Sequence, residues 1–302
     1  MKKTLVLLLI ILFFNQSQAQ FGYGKIEDIQ TIKEVPLLVV LKTPNEDEVK
    51  KLERKDEKEL NEYYEQIENY NKSIQEGFEN SWTFSKEVKF IQDIEIKDYT
   101  TKSNDRKYAI IRKSMINFAV QYSVYLIGEK KPVYGFFYQD EPNSSDFKYI
   151  SQQIQNYLKK RELLKTGNKS KKELKKEFEN KAQILKTKTL LLDKDDLTEK
   201  LVTQLKNVYK YPFKITTKEE IDEAIMNNSD VAYLKISPLY PATSNNKTPT
   251  HNIKEVKLIY SQYIMDASNG EILAMVQPSG MTIGKATSKN SNEIMSIKNL
   301  KD

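Results

Sequence analysis

Two short, uninterrupted apolar runs, residues 36–41 (Pro-Leu-Leu-Val-Val-Leu) and 190–192 (Leu-Leu-Leu), each head a similar succession of patterns. A continuous apolar run bounded by polar residues reads as a buried strand. Behind the first run Thr43 is a natural N-cap, Pro44 suits the first helical position, and Glu46, Asp47 and Glu48 set negative charge at the positive helix end. No further proline or glycine occurs before Gly77, so a helix of about 30 residues is predicted, with room for a break. Its apolar positions Leu60, Tyr63, Ile67, Tyr70, Ile74 and Phe78 keep helical spacing. The residues before Leu60 are mostly charged, and that part is expected to project into water or to pair with another helix. Behind the second run the order returns in shorter form: an acidic turn, Asp193-Lys194-Asp195-Asp196, then Leu201, Val202 and Leu205 on one helical face.

From there the halves run in parallel. Val88-Lys89-Phe90-Ile91 answers Pro212-Phe213-Lys214-Ile215, and Tyr108-Ala109-Ile110-Ile111 answers Ala232-Tyr233-Leu234-Lys235-Ile236. Tyr122-Ser123-Val124-Tyr125-Leu126-Ile127 returns as Tyr260-Ser261-Gln262-Tyr263-Ile264-Met265. Each copy continues through a hairpin turn, Gly128-Glu129-Lys130-Lys131 or Ser268-Asn269-Gly270-Glu271, into another strand and a closing helix. Ile150, Ile154 and Leu158 share a face of the first closing helix; Ile294, Ile297 and Leu300 do so on the second. Ordered self-similarity of this kind marks a duplication. The expected fold is therefore α+β: two tandem copies of a β-α-β-α-β-β-β-α domain, each sheet covered by helices, joined by a basic helical linker.

The expected boundaries are a first repeat at 34–161 with a charged helical insertion at 45–73, a linker at 162–185, and a second repeat at 186–302. The first copy carries roughly 28 extra residues in its long helix, and the second about 14 extra within 237–256. That stretch reads as a loop, because Pro238, Pro241 and Pro249 punctuate a polar Thr-Ser-Asn-Asn-Lys-Thr core. Insertions are where duplicated scaffolds acquire different roles.

The beginning of the chain has the three parts of a secretory signal: Lys2 and Lys3, an apolar run at 5–14, and the small residues of Ser17-Gln18-Ala19 before Gln20. Ten helical residues reach only about 15 Å, too short to span a bilayer. Cleavage between Ala19 and Gln20 is expected, followed by an N-terminal segment at 20–33. No later stretch is apolar enough to span a membrane. The location implied is outside the cytoplasm, periplasmic or extracellular.

Charge sharpens the linker. Residues 159–188 hold twelve basic and four acidic side chains, while the whole chain has a net charge of +6. Ser170-Lys171-Lys172-Glu173 reads as a capping box, with Leu174, Phe178, Lys181 and Leu185 following along one face. Lys171, Lys172, Lys175 and Lys176 fall on the other face, either solvated or docked to an acidic surface. Only Arg54, Arg106, Arg112 and Arg161 are arginine. Lysine lacks the planar fork that reads phosphate or guanine, which argues against specific nucleic-acid recognition.

Candidate chemistry is sparse. The chain has no cysteine, which removes disulfides, thiolate metal sites, thiol nucleophiles and a lipid-anchoring cysteine together. The only histidine, His251, has neither a second histidine nor a Gly-x-Ser-x-Gly turn to work with. Gly280 to Thr287 fails the phosphate-loop spacing, and Asp193, Asp195 and Asp196 lack the glycine and distal glutamate of a calcium loop. No catalytic residue, cofactor or metal is expected. Tyr122, Tyr125, Tyr260 and Tyr263 fall in predicted strands, and residues three apart on a strand point to opposite faces. One of each pair is expected in the core. The other is a candidate for an exposed aromatic strip that binds a partner.

The element order, with a meander ending in the Asp266 to Glu271 turn, resembles the α/β domains of the TolB N-terminal, curli-secretion and penicillin-binding-protein-activator group of bacterial envelope proteins. The resemblance covers about 34–161 and 186–302, and the general look is similar to exported proteins of Bacteroidota. It implies an accessory or assembly role in the envelope. The function expected is an exported, non-catalytic binding or scaffold protein acting on an envelope protein. The alternatives are a secreted hydrolase using paired carboxylates, and adhesion to an anionic envelope polymer through the lysine-rich linker.

Overall fold

The computed structural model describes residues 24–276 apart from 117–118, 139–140, 168, 171–172, 174–175, 178–179, 198–201, 204–205, 207–208 and 248–251, with the backbone alone for 237–247, 252–261 and 275–276. The expected signal segment with Ala19 and Gln20, and the second closing helix with Ile294, Ile297 and Leu300, lie outside the described residues.

The chain is α+β, with two five-stranded sheets of one topology. The first contains β1 (Leu37–Leu41), β2 (Val88–Gln92), β3 (Ala109–Ile116), β4 (Ala119–Leu126) and β5 (Tyr134–Tyr138), in the order β2-β1-β3-β4-β5. The second contains β6 (Thr189–Asp193), β7 (Phe213–Thr216), β8 (Val231–Lys247), β9 (Asn252–Asp266) and β10 (Ile272–Val276), in the matching order β7-β6-β8-β9-β10. In each sheet the apolar-run strand lies parallel between its two neighbours, and the last three strands form an antiparallel meander. Both apolar runs thus occupy the position that is buried on two faces, as their composition requires.

Six helices accompany the sheets among the described residues. α1 (Ile26–Glu34) precedes the first repeat and buries Ile29 and Ile32; the Lys25 amide donates to Asp28 Oδ2 at 2.9 Å to close its first turn. The long charged helix is in fact two: α2 (Glu46–Glu53) and α3 (Glu57–Glu79). Asn45, not Thr43, caps α2, its side chain accepting from the amides of Asp47 and Glu48 at 3.0 Å. Thr43 instead donates its hydroxyl to Asp93. Asp56 caps α3, so a new N-terminus interrupts the expected helix. α4 (Ile96–Tyr99) is a single turn on the outer side of the first sheet. α5 (Ser144–Lys165) is the first closing helix, and α6 (Lys218–Met226) belongs to the second repeat. α5 continues past the expected boundary at 161, and Gly167, at φ +72°, follows its end.

Helices α1, α3, α5 and α6 contribute to the core between the sheets. One continuous core joins Leu37, Val39, Ile111, Tyr122 and Phe136 of the first sheet to Phe78, Phe147, Ile150 and Ile225 of the helices, and on to Leu191, Tyr233, Tyr263 and Met265 of the second sheet. Smaller apolar clusters cover the outer faces, around Leu38 and Ile110 on one side and Leu190 and Leu192 on the other. The two repeats therefore share a core.

Strand pairing corrects the register of the duplication. Val39 pairs with Ile111, which pairs with Val124; Leu191 pairs with Tyr233, which pairs with Met265. Val124 thus corresponds to Met265 and Tyr122 to Tyr263, an offset of 141 where the Tyr-Ser-x-Tyr echo implies 138. A three-residue slip reverses which face a residue occupies. Tyr122 and Tyr263 both face the helices, so the pleat, not the letters, identifies equivalent positions.

The stretch expected as a proline-rich loop is strand. β8 and β9 pair from Ala232–Asp266 out to Lys247–Asn252, with a bulge between Pro238 and Tyr240. In the first repeat the equivalent strands pair out to Ile116–Ala119. The pair corresponding to it in the second repeat is Pro238–Tyr260, beside the bulge. The insertion is therefore residues 239–259, and it prolongs an existing hairpin as a two-stranded ribbon. Pro238 and Pro241 are tolerated because β6 pairs with β8 only at 231–233, so beyond that point one edge of β8 needs no donors. Ten residues from Pro238 to Lys247 extend about 33 Å. Pro249 and His251 lie outside the described residues.

Candidate functional site

The most elaborate polar constellation forms where α5 meets the second repeat. The N-terminal half of α5 is buried on all sides: Ser145, Asp146, Lys148, Ser151, Gln152, Gln153 and Gln155 are buried along with Phe147, Ile150 and Ile154. Burying this many polar groups is tolerable only if each finds a partner. Asn143 caps the helix by accepting from the Asp146 amide at 2.9 Å. The Asp146 carboxylate, 1 % exposed, then accepts from Tyr138 Oη and Lys235 Nζ, both at 2.6 Å. Lys235 also lies over the rings of Tyr138 and Tyr149, at 5.2 and 5.3 Å from their centroids. Burial raises the pKa of Asp146, but Lys235 and the Tyr138 hydroxyl outweigh it and hold the carboxyl below its ordinary value. Burial, with Asp146 beside it, pushes the Tyr138 hydroxyl far above its usual range. This pair joins the repeats, since Asp146 belongs to the first and Lys235 to the second.

Three further sets of contacts cross the same seam. Lys148 donates to the carbonyls of Ile225 and Met226 at 2.6 and 3.0 Å and to Asn228 Oδ1 at 2.9 Å. It thereby satisfies the exposed C-terminal carbonyls of α6, where a cation is favoured. Asn228 follows α6 at φ +52°, the left-handed conformation common just past a helix end. Burial lowers the Lys148 pKa. On the other side Asn143 and Ser145 donate to the Asp222 carboxylate at 2.7 and 2.6 Å, and Gln153 and Asn156 donate to the Gly270 carbonyl at 2.9 and 3.0 Å. Gly270, at φ +69°, is pressed against Gln152, so the second hairpin turn is moulded to α5.

This constellation is enclosed and internally paired, which fits it for holding the repeats together. Among the described residues no group of three or more histidine, cysteine, aspartate or glutamate side chains is placed to hold a metal ion. A shallow, open depression of about 590 Å³ lies over Asp56, Glu57, Lys58, Asn61, Glu62 and Glu65, at the start of α3.

The residues singled out from sequence are dispersed. Tyr122 is fully buried, edge-on to Phe147 at 5.5 Å, and Tyr263 is buried on the equivalent face of the second sheet. Neither contributes to an exposed strip. Tyr125 is half-buried on the outer face of the first sheet, with the Arg112 guanidinium 5.9 Å from its ring. The side chain of Tyr260 lies outside the described residues; its backbone pairs with Pro238 at the root of the ribbon. Lys176 is exposed, whereas Lys171, Lys172 and Lys175 lie outside the described residues. The Ser170–Glu173 capping box forms: the Ser170 hydroxyl and amide donate to Glu173 at 2.7 Å, and the Glu173 amide donates back at 3.2 Å. Asp193 accepts from the Asp195 amide at 3.0 Å within the acidic turn.

The seam escaped the sequence reading because Asp146, Lys148 and Lys235 look like ordinary solvated charges in one dimension. The ribbon was half visible: its position was marked as an insertion and its conformation was not. The fold is thus a duplicated α/β domain with a shared helical layer. No family model, curated protein or solved structure matches the chain.

Proposed function

We propose that the protein is an exported, non-catalytic binding or scaffold protein of a bacterial envelope, working through protein contacts made by the β8–β9 ribbon. The observation that carries this reading is the continued pairing of β8 with β9 out to Lys247–Asn252, beyond the pair that corresponds to the last one, Ile116–Ala119, of the first repeat. A two-stranded ribbon paired to no third strand among the described residues adds little to a core. It does offer backbone edges to a partner. The enclosed pairing of Asp146, Lys148 and Lys235 supports a structural rather than a reactive role for the buried charges. The signal-like residues 1–19 and the resemblance to envelope α/β domains supply the location. No helix among the described residues is long and apolar enough to cross a membrane.

The test replaces 239–259 with Asn117-Phe118, the two residues that link Ile116 to Ala119 in the first repeat, and compares crosslinked capture from native envelopes. The core should keep its thermal midpoint while specific capture falls at least tenfold. Equal capture by both chains would remove the ribbon, and with it this reading.

A further inference from the structure

Among the described residues, the ribbon has one edge interrupted by prolines and one that β10 leaves uncovered. On β8, Pro238 and Pro241 remove backbone donors beyond the sheet, which discourages a further strand. On β9 there is no proline at 252–261, and among the described residues β10 covers its outer edge at 262–265 and not at 252–260. We infer that the outer edge of β9 over residues 252–260 pairs antiparallel with the same edge of a second copy of this chain, about a two-fold axis at Val256. The inference rests on the reading of the ribbon as the interaction element and names a second copy as a partner.

The register positions are self-complementary about that axis. Val256 meets its own counterpart, Glu255 stands opposite Lys257 twice, Ile253 opposite Ile259, and Asn252 opposite Tyr260. Opposite charges directly across an antiparallel pair stabilise it, and like charges destabilise it. A slip of one residue in one direction sets Lys254 against Lys257; in the other it sets Glu255 against Leu258 and both ion pairs vanish. Edge lysines deter indiscriminate strand addition. Here Lys257 is neutralised when the incoming strand brings a glutamate two residues from it, as a second copy does. Such a contact is isologous and closes as a dimer rather than a fibre.

Sedimentation velocity on the purified full chain tests the pairing. The native chain should show a concentration-dependent dimer. Glu255→Lys and Lys257→Glu should each weaken it at least tenfold, and the double exchange Glu255→Lys with Lys257→Glu should restore it, with unchanged circular dichroism throughout. Because the chain has no cysteine, Val256→Cys places a single thiol on the axis. Directly opposed Cβ atoms lie about 4.5–5.5 Å apart, close enough for a disulfide after slight adjustment. Val256→Cys should therefore give a covalent dimer on mild oxidation, and Thr243→Cys, its neighbour on β8, should not. A chain that stays monomeric at every concentration with no Val256→Cys crosslink overturns the inference, as does a dimer indifferent to Glu255→Lys. A monomer that still captures envelope protein through the ribbon sinks self-pairing alone; a charge-sensitive dimer with no envelope capture sinks the proposed function alone.

Discussion

The two repeats have the same sheet and unequal helices. The first supplies α3, of 23 residues, and α5, of 22; the described part of the second supplies α6, of nine. α5 packs its Tyr149, Ile150 and Ile154 into the core while Lys148, Gln153 and Asn156 reach the second repeat. The two tandem α/β domains therefore share one core. One copy became the covering layer of the other, and the apolar core they share is supplemented by polar contacts because α5 also carries Lys148, Gln153 and Asn156. The second copy spends its extra residues on a ribbon instead of a helix.

If the seam makes the two repeats one cooperative unit, cutting it should lower the stability of the whole molecule. The largest effect is expected from Asp146→Ala, which leaves Lys235 and the Tyr138 hydroxyl without their shared acceptor. Breaking a buried pair by removing one partner costs about 3–5 kcal/mol. Calorimetry should show a single transition at lower temperature. Two separated transitions would mean that the repeats fold independently. The pH dependence has a definite sign: the folded carboxyl is held below its ordinary value, so its stabilisation is present above about pH 4 and is lost as pH falls through the lowered folded value. The gap between the native chain and Asp146→Asn should close in strong acid.

Next is Gly77→Val, at the closest approach of α3 and α5. A Cβ on Gly77 would lie 2.4 Å from Phe147 Cβ and 2.8 Å from the Lys148 amide, backbone that cannot yield locally. Overpacking here should cost about 3 kcal/mol, and urea denaturation should report it in the midpoint rather than the slope. Lys148→Met follows at about 2 kcal/mol, because it strips the donors from the end of α6. Burial lowers the Lys148 pKa, so the unfolded state holds that proton more firmly and stability contributed by Lys148 rises with pH up to about 10.5. The native chain's thermal advantage over Lys148→Met should accordingly widen from pH 7 to 10. A constant gap would place Lys148 outside the linkage.

Much of the layout was legible because it depends on local signals. The apolar runs that became β1 and β6, the shared face of Ile150, Ile154 and Leu158, and the Asn269-Gly270 turn all follow from period and turn chemistry. What failed depended on distant chain. Letter matching aligned Tyr122 with Tyr260, whereas inclusion in a sheet fixes parity and aligns it with Tyr263. Prolines at 238 and 241 argued for a loop; they are compatible with strand because β6 leaves that edge unpaired. Ser145, Asp146 and Lys148 read as the wet side of an amphipathic helix, and only the second sheet, folded from residues more than forty positions later, makes that side dry. α1 was passed over although Ile26, Ile29 and Ile32 recur every three residues, because only nine residues carry the pattern.

The smallest effect separates the two insertions from the shared core most finely. Asn45 caps α2 through two amides at 3.0 Å, and Thr217 caps α6 by accepting from the Glu220 amide at 3.3 Å. Removing either cap should cost its helix about 1 kcal/mol. The consequences should differ in reach. α2 is exposed along most of its length and buries only Leu52, so Asn45→Ala should fray that helix while the global midpoint stays put. α6 buries Ile221 and Ile225 in the common core, and its Asp222 is held by Asn143 and Ser145 across the seam. Thr217→Ala should therefore lower the global midpoint. Amide exchange resolves the two: faster exchange confined to 46–53 for Asn45→Ala, against a uniform rise through both sheets for Thr217→Ala. Equal global effects would mean that α2 is integral to the fold, and the first repeat's insertion would then be cover for the core rather than an appendage to it.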